Sequence, residues 1–451
     1  MTDGPFDRRH VLAGLGTAAG AAVAGCSDLP WNDAESTATT FARTEIDPIL
    51  TGSVPDVDRP APVEPAASAL EDARSRIDEV LEPVPDTVDP DDVPNGVVRE
   101  SIADRRDSAL EGRAETVDAP ADERYRALRT TRGAREDARA SATTLTGIEA
   151  DRESLLAELD NERARVRSTV TERLEDVDYR GEDGNDGRLR AALLFAAFED
   201  DLETAARRVE RWDVDATTDV VDLGGEAGDL EFAVATASVW EHLFERYAED
   251  AGARVDLEPV FADALQKSLE RATDVSLPDQ GEDDWLAALV DREVEQGFDQ
   301  TVLWDAVRPV YRARERLQEA VDDDRLGTGL AAALRFEGAF RAFELVRERF
   351  EDGELASPES IEEIRAQRTA AVSAAESVRG DVTGPSLGAD VLAETVRSLE
   401  RADDTLRRRA DGDPEANVTL GSEYSEYVRL EARFETLPDA VAPFRGRLLE
   451  D

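Results

Sequence analysis

Cysteine, histidine and lysine, which serve many enzymes as nucleophiles, proton carriers or metal ligands, are almost absent from this 451-residue chain. There is one cysteine, Cys26, and there are two histidines, His10 and His242. A zinc site built from His and Cys therefore cannot be assembled, and a di-iron bundle would need two Glu-x-x-His motifs that the sequence lacks. A Ser-His-Asp triad would have to use His242, and the single lysine, Lys267, lies in no glycine-rich phosphate loop. This composition favours a protein that is not an enzyme.

The histidine at position 242 lies three residues before Glu245, in a segment with helical spacing. On a helix, residues three apart share a face, so the imidazole and the carboxylate can meet a metal ion or each other. This His-x-x-Glu pair resembles the imelysin family, whose members bear the motif and are linked to iron handling, which would make His242 and Glu245 metal ligands. The glycine that the family has shortly before the histidine is absent here. The favoured alternative is a histidine packed beside Trp240, Phe244 and Tyr247 and bonded to a neighbouring carboxylate.

The cysteine at position 26 follows a segment typical of export. Arg8 and Arg9 precede a mild apolar run, and the small residues at 23–25 lead directly into Cys26. This order resembles a twin-arginine export signal that ends in a lipobox. The resemblance implies cleavage before Cys26 and a diether-type lipid on its thiol, which would hold the protein on the outer face of the cytoplasmic membrane. The alternative is an uncleaved anchor helix, but the apolar run 13–25 is shorter than the roughly 20 residues that a membrane crossing needs.

The charge of the chain is strongly negative. It has 103 acidic and 53 basic residues, for a formal net charge of −50. Such a chain repels itself in ordinary buffer, whereas at molar salt the Debye length falls to about 3 Å and the repulsion is screened. The acids are spread along the chain instead of clustering with calcium-ligand spacing, so the composition favours a high-salt protein and resembles that of haloarchaea. This charge excludes nucleic acid as a partner, and the single cysteine excludes an intrachain disulfide.

Beyond residue 65, apolar residues recur at the three- and four-residue steps of amphipathic helices. One stripe consists of Leu145, Ile148, Leu155, Leu159, Val166, Val170, Leu174 and Val177. Clusters of Gly, Asp and Pro predict breaks at 82–95, 180–187, 222–228, 277–283, 322–324, 352–358, 380–388 and 411–414. We therefore predict an all-α fold of long antiparallel helices in one or two bundles, with an extended N-terminal tether.

The predicted domain order is a signal peptide at 1–25, a lipidated tether rich in Pro, Asp, Ser and Thr at 26–65, a first helical bundle at 66–215 and a second at 216–451. A short helix near 34–50 is expected to interrupt the tether. An internal repeat is a further hypothesis, because Phe195, Leu202 and Val209 align with Phe336, Phe343 and Phe350 at a constant offset of 141 residues. Shared helical periodicity could also produce this alignment.

The sequence predicts structural roles for three further sets of residues. Aromatic residues at helical spacing are expected in the core: Phe195, Phe198, Trp212, Phe232, Trp240, Phe244, Trp304, Phe336, Phe340 and Phe343. The run Arg407-Arg408-Arg409 is expected to pair with nearby acids, and Asn417-Val418-Thr419 is a candidate glycosylation sequon.

The function expected from these features is that of a lipid-anchored interaction or scaffold module with an unidentified protein partner. Its one membrane attachment would be the lipid, and no other cofactor is expected. The alternative is a metal- or solute-binding lipoprotein associated with transport, using His242 and Glu245.

Overall fold

Twelve α-helices make up most of the chain that the computed structural model describes, namely residues 39–282, 284–382, 384–411, 413 and 416–450. The first bundle is formed by α1 (Ala67–Leu81), α2 (Gly96–Glu115), α3 (Arg124–Gly147), α4 (Arg152–Glu175), α5 (Asn185–Glu210) and α6 (Val220–Asp250). The second is formed by α7 (Glu258–Asp274), α8 (Phe298–Asp322), α9 (Leu326–Glu351), α10 (Ile361–Val378), α11 (Leu387–Ala410) and α12 (Gly421–Leu449). The predicted all-α fold is confirmed.

Four short strands form two antiparallel pairs among these helices. Strand β1 (Thr40–Ala42) pairs with β4 (Asn417–Thr419), and β2 (Arg180–Glu182) pairs with β3 (Arg254–Asp256). The first pair joins the start of the described chain to the loop before α12. None of the helices that the structure describes combines the length and apolar character that a membrane crossing needs.

The boundary between the two bundles lies between α6 and α7, not at 215/216 as predicted. Trp240 and Tyr247 of α6 are buried in the same apolar core as Leu159 of α4 and Leu202 of α5. A second and larger core is formed mainly by α7 to α12. The segment between α5 and α6 is thus a turn within the first bundle, and its polar residues mimic those of a domain linker.

The break predicted at 222–228 is also wrong, because α6 runs through it. Two of its glycines, Gly224 and Gly228, lie where the helix crosses α3 closely. A Cβ on Gly224 would lie 2.0 Å from the Thr144 hydroxyl, and one on Gly228 would lie 2.9 Å from the Glu136 carbonyl oxygen. The glycines therefore act by having no side chain, not by ending the helix.

The two bundles meet where α5 crosses α9. A Cβ on Gly327 would lie 2.5 Å from the backbone of Phe195, so the two helices touch backbone to backbone. These helices cover 185–210 and 326–351, so they are related by the offset that suggested a repeat. All six residues of that alignment are buried. Duplication itself remains a prediction.

The part of the predicted tether that the structure describes is packed against the helices instead of extending freely. Residues 26–38 lie outside the described residues, whereas residues 39–66, here called the strap, are packed against both bundles. Over 40–50, the part of the short helix expected near 34–50 for which elements are assigned, the chain forms β1 and two 3₁₀ turns (Arg43–Glu45 and Asp47–Leu50) instead. Ile46, between these turns, and Ile49, on the second turn, are fully buried in the second core.

The strap crosses from the second bundle to the first. On the second bundle, the Arg368 guanidinium donates to the carbonyls of Thr51 and Gly52 at 2.8 and 3.1 Å, and Arg59 pairs with Asp390 at 2.7 Å. On the first bundle, the strap carbonyl of Pro62 accepts a hydrogen bond from Arg190 at 2.6 Å. An extended chain has free carbonyls along its length, and buried arginines satisfy them.

The aromatic residues expected in the core are buried or partly buried, except for Trp304. Its side chain is 39% exposed on the outer face of α8 and packs edge-on against Trp285, with ring centroids 5.5 Å apart. Helical spacing predicts which residues share one face of a helix. It does not predict which face packs against the rest of the protein.

Candidate functional site

The predicted export and lipidation residues Arg8, Arg9 and Cys26 lie outside the described residues. Asn417, the sequon residue, begins β4 and is exposed. In the arginine run, Arg407 pairs with Asp404 and Arg409 with Glu423, as expected for these two.

The single histidine that the structure describes, His242, is half-buried on α6 and is used in packing the strap. Its Nε2 accepts a hydrogen bond at 3.1 Å from the backbone N–H of Ala66, the N-cap residue of α1. The ring is therefore neutral with its proton on Nδ1, and burial lowers the pKa of His242 against the opposing charge of Glu245. The carboxylate neighbour Glu241 pairs instead with Arg173 at 2.9 Å.

The alternative metal site finds little support in this geometry. The Nε2 lone pair of His242 is occupied by the Ala66 N–H, and the Glu245 side chain is exposed. Within the described parts of the chain, no group of three or more His, Cys, Asp or Glu residues is arranged to hold a metal ion.

A buried carboxylate joins the two bundles. Glu199 of α5 is fully buried and accepts the backbone N–H groups of Gly327 and Thr328, at 3.0 and 2.7 Å, at the N-terminus of α9. The Tyr179 hydroxyl donates to the same carboxylate at 2.7 Å. An anion at a helix N-terminus is favourable because the N–H groups there lack partners within the helix. Burial nevertheless raises the pKa of Glu199.

One serine pattern was missed by the sequence analysis. Gly384-Pro385-Ser386-Leu387-Gly388 has the Gly-x-Ser-x-Gly form of a nucleophile turn. Here it follows α10 instead of a strand, and the Ser386 hydroxyl accepts the backbone N–H of Ala389 at 3.3 Å. Ser386 therefore serves as the N-cap of α11.

The sequence analysis also missed a cluster of arginines between α8, α9 and α12. These helices enclose a cleft of about 340 Å³. Its charged lining consists of two acids, Asp305 and Glu426, and six arginines: Arg308, Arg312, Arg316, Arg335, Arg429 and Arg433. In a chain of net charge −50, this local excess of cations is unexpected.

A second cleft of about 480 Å³ adjoins the first. The two share Glu426, Arg429 and Arg433 as a common wall. The second adds Arg401 and Arg409 from α11 and the acid Glu423 from α12. We call the two clefts together the arginine groove.

Several cations of the groove have no carboxylate partner among the described residues. Arg429 pairs with Glu426, Arg316 with Glu203, Arg335 with Glu394 and Arg409 with Glu423. In contrast, no described acid forms an ion pair with Arg308, Arg312 or Arg433, and the Nε atom of Arg308 is buried without a hydrogen-bond partner.

Electrostatics in the groove reflect burial first and neighbouring charges second. Burial, together with the nearby guanidinium of Arg429, lowers the pKa of Arg433 to about 10. Burial also raises the pKa of Asp305, and the positive charge of Arg429 opposes that shift. Keeping Arg433 charged therefore costs the protein free energy of desolvation and repulsion. A bound anion would lower that cost.

The sequence carries a weak signal for this groove. Arg308, Arg312 and Arg316 are spaced by four residues, as are Arg429 and Arg433, so each set shares one helix face. Arginines at such spacing occur along much of the chain. The groove differs from other such arginine sets because the arginine face of α8 and that of α12 lie opposite each other. That arrangement depends on tertiary packing.

The comparisons with known proteins divide the chain at the same place as the structure. Residues 68–253 match a family model described as a domain of unknown function (DUF8262), and residues 258–446 match another described as a domain of unknown function (DUF8264). No curated protein and no solved structure matches the chain. The first bundle is thus similar to one family, and the second bundle, with the arginine groove, is similar to the other.

Proposed function

We propose that this protein is exported and lipid-anchored at Cys26 on the outer face of the cytoplasmic membrane in a high-salt organism. There it acts as a non-enzymatic interaction or scaffold module. The order of Arg8, Arg9, apolar run and Cys26 supports the export route, and the charge of −50 supports the environment.

The main structural support for the scaffold proposal is the packing of the strap. It contacts both bundles, and Glu199 joins α5 to α9, so the helical body is held as one unit by its N-terminal segment. Cys26 lies 14 residues before Thr40, and a chain of that length spans at most about 50 Å. An anchor on Cys26 would therefore hold a large helical surface close to the membrane, as a scaffold requires.

Cell fractionation tests the anchoring. Cys26→Ser removes the thiol that would carry the lipid, and we expect the protein to leave the membrane fraction for the medium or to accumulate as precursor. Ser36→Ala, in the same segment, is the matched control and should remain in the membrane fraction. Mature Cys26→Ser protein that stays stably membrane-bound would contradict the proposal.

A further inference from the structure

We propose that the arginine groove is a binding site for a phosphate or sulfate ester, that is, for a tetrahedral oxyanion carried on a larger group. None of the residues proposed for export or lipidation belongs to this site.

The imbalance of charge is the first argument. Most arginines of this chain have acids nearby, since acids outnumber basic residues by 103 to 53. In the groove the ratio is reversed, and Arg308, Arg312 and Arg433 have no ion pair with any described acid. Like charges gathered without partners destabilise a fold, so this arrangement is better explained by a ligand that completes it.

The chemistry of the guanidinium group selects the ligand class. Its planar fork of N–H donors binds two oxygens of one phosphate, sulfate or carboxylate group at once. At molar salt, screening removes attraction beyond about 3 Å, so direct contacts must supply the affinity. Chloride is abundant there but is a single spherical acceptor, whereas a tetrahedral oxyanion can engage several arginines from different helices.

The shape of the groove indicates an ester and not a free ion alone. The first cleft, of about 340 Å³, lies within the range of small-molecule sites. The second cleft continues past the shared wall of Arg429 and Arg433, which leaves room for the group that carries the oxyanion. Arg43 of the strap donates to the carbonyl of Arg409 at this end, so the groove adjoins the segment that leads toward Cys26.

The ester could be a soluble compound or the headgroup of a membrane lipid, and the test separates these sources. The full chain carrying Cys26→Ser, and therefore no lipid, is studied in molar potassium chloride. Inorganic phosphate is titrated by calorimetry. In parallel, vesicles of phosphatidylglycerol are compared with vesicles of phosphatidylcholine in a sedimentation assay.

The variants are chosen so that charge is matched. Arg312→Gln with Arg433→Gln removes two unpaired groove cations, and Arg165→Gln with Arg167→Gln removes two exposed cations of α4. We expect saturable binding of phosphate, or of phosphatidylglycerol vesicles, that is at least about tenfold weaker in the groove variant and unchanged in the α4 variant. Binding of inorganic phosphate without binding of the vesicles indicates that the group carrying the oxyanion is soluble, and binding of the vesicles indicates a lipid headgroup.

The proposal is overturned if neither probe binds, or if the two variants lose binding equally, since the effect would then be general electrostatics. Helical circular dichroism establishes that each variant is folded. Arg312→Lys with Arg433→Lys keeps the charge and most of each side chain but loses the planar fork. Binding as tight as in the parent protein would show that a point charge suffices and would overturn the guanidinium argument.

Discussion

Glu199 shows how a single buried charge can hold two bundles together. Its carboxylate completes the N-terminus of α9 from the neighbouring α5, and Tyr179 adds a third donor. A buried carboxylate is costly to desolvate, and three hydrogen bonds compensate for that cost. Any change that removes the acceptor leaves backbone N–H groups unsatisfied at the junction.

We predict that Glu199→Gln lowers the free energy of unfolding by about 2–4 kcal/mol, because the amide turns a donor toward groups that are themselves donors. Asp200→Asn, at the adjacent exposed position, should change it by less than about 0.5 kcal/mol. Denaturant unfolding in molar salt measures both. Equal effects of the two substitutions would show that the junction does not depend on this carboxylate.

His242 contacts the strap, and its titration makes part of the folding stability depend on pH. Its pKa is lowered in the folded state, so the unfolded chain binds the proton more readily. The stability that the neutral ring contributes is therefore present above about pH 6.5, the ordinary histidine pKa, and is lost as the pH falls below it. Protonation also removes the Nε2 acceptor of the Ala66 N–H.

We expect His242→Gln to cost on the order of 1–2 kcal/mol at neutral pH and to remove this part of the pH dependence. Melting temperatures of the parent and the variant, measured between about pH 8 and pH 5.5, should converge as the pH falls. The titrating carboxylates are common to both proteins and cancel in the difference. A constant difference at all pH values would contradict the assigned role of the ring.

At the scale of the helices, two adjacent glycines of α6 have different roles that the sequence does not distinguish. One allows a close contact with α3, and the other makes no contact. Gly224 faces α3 at a distance that leaves no room for a methyl group, whereas a Cβ on Gly225 would meet nothing within 4 Å. We predict that Gly224→Ala destabilises the protein by about 2–3 kcal/mol through overpacking, and that Gly225→Ala stabilises it by up to about 1 kcal/mol through helix propensity. Thermal unfolding of both variants gives the comparison. Similar changes for the two would mean that α3 and α6 are not in close contact.

The same helices show how far the sequence predicts the fold. Helix content and the breaks near 82–95, 277–283 and 352–358 follow from periodicity and turn residues, which are local properties. The bundle boundary, the continuity of α6 and the packed strap depend on what lies opposite each residue, so local patterns could not give them. The arginine groove was missed for the same reason, since no single helix contains it.

At the scale of the whole molecule, the net charge of −50 predicts that folding depends on ionic strength. Repulsion among surface carboxylates is screened only at high ionic strength, because the Debye length grows from about 3 Å at 1 M to about 10 Å at 0.1 M. We predict that helical circular dichroism falls, or that the melting temperature drops, when salt is reduced across this range. Equal helicity and equal heat stability at both ends would show that the acidic composition has another purpose.

Anchoring at Cys26 is the central claim, and the mass of the N-terminal peptide tests it most directly. The protein is extracted from membranes of the organism that produces it, digested and examined by mass spectrometry. We predict that the first residue of the mature chain is Cys26 and that this residue carries a diether-type lipid. An N-terminal peptide that still contains Arg8 and Arg9, or an unmodified Cys26 in membrane-extracted protein, would contradict the account.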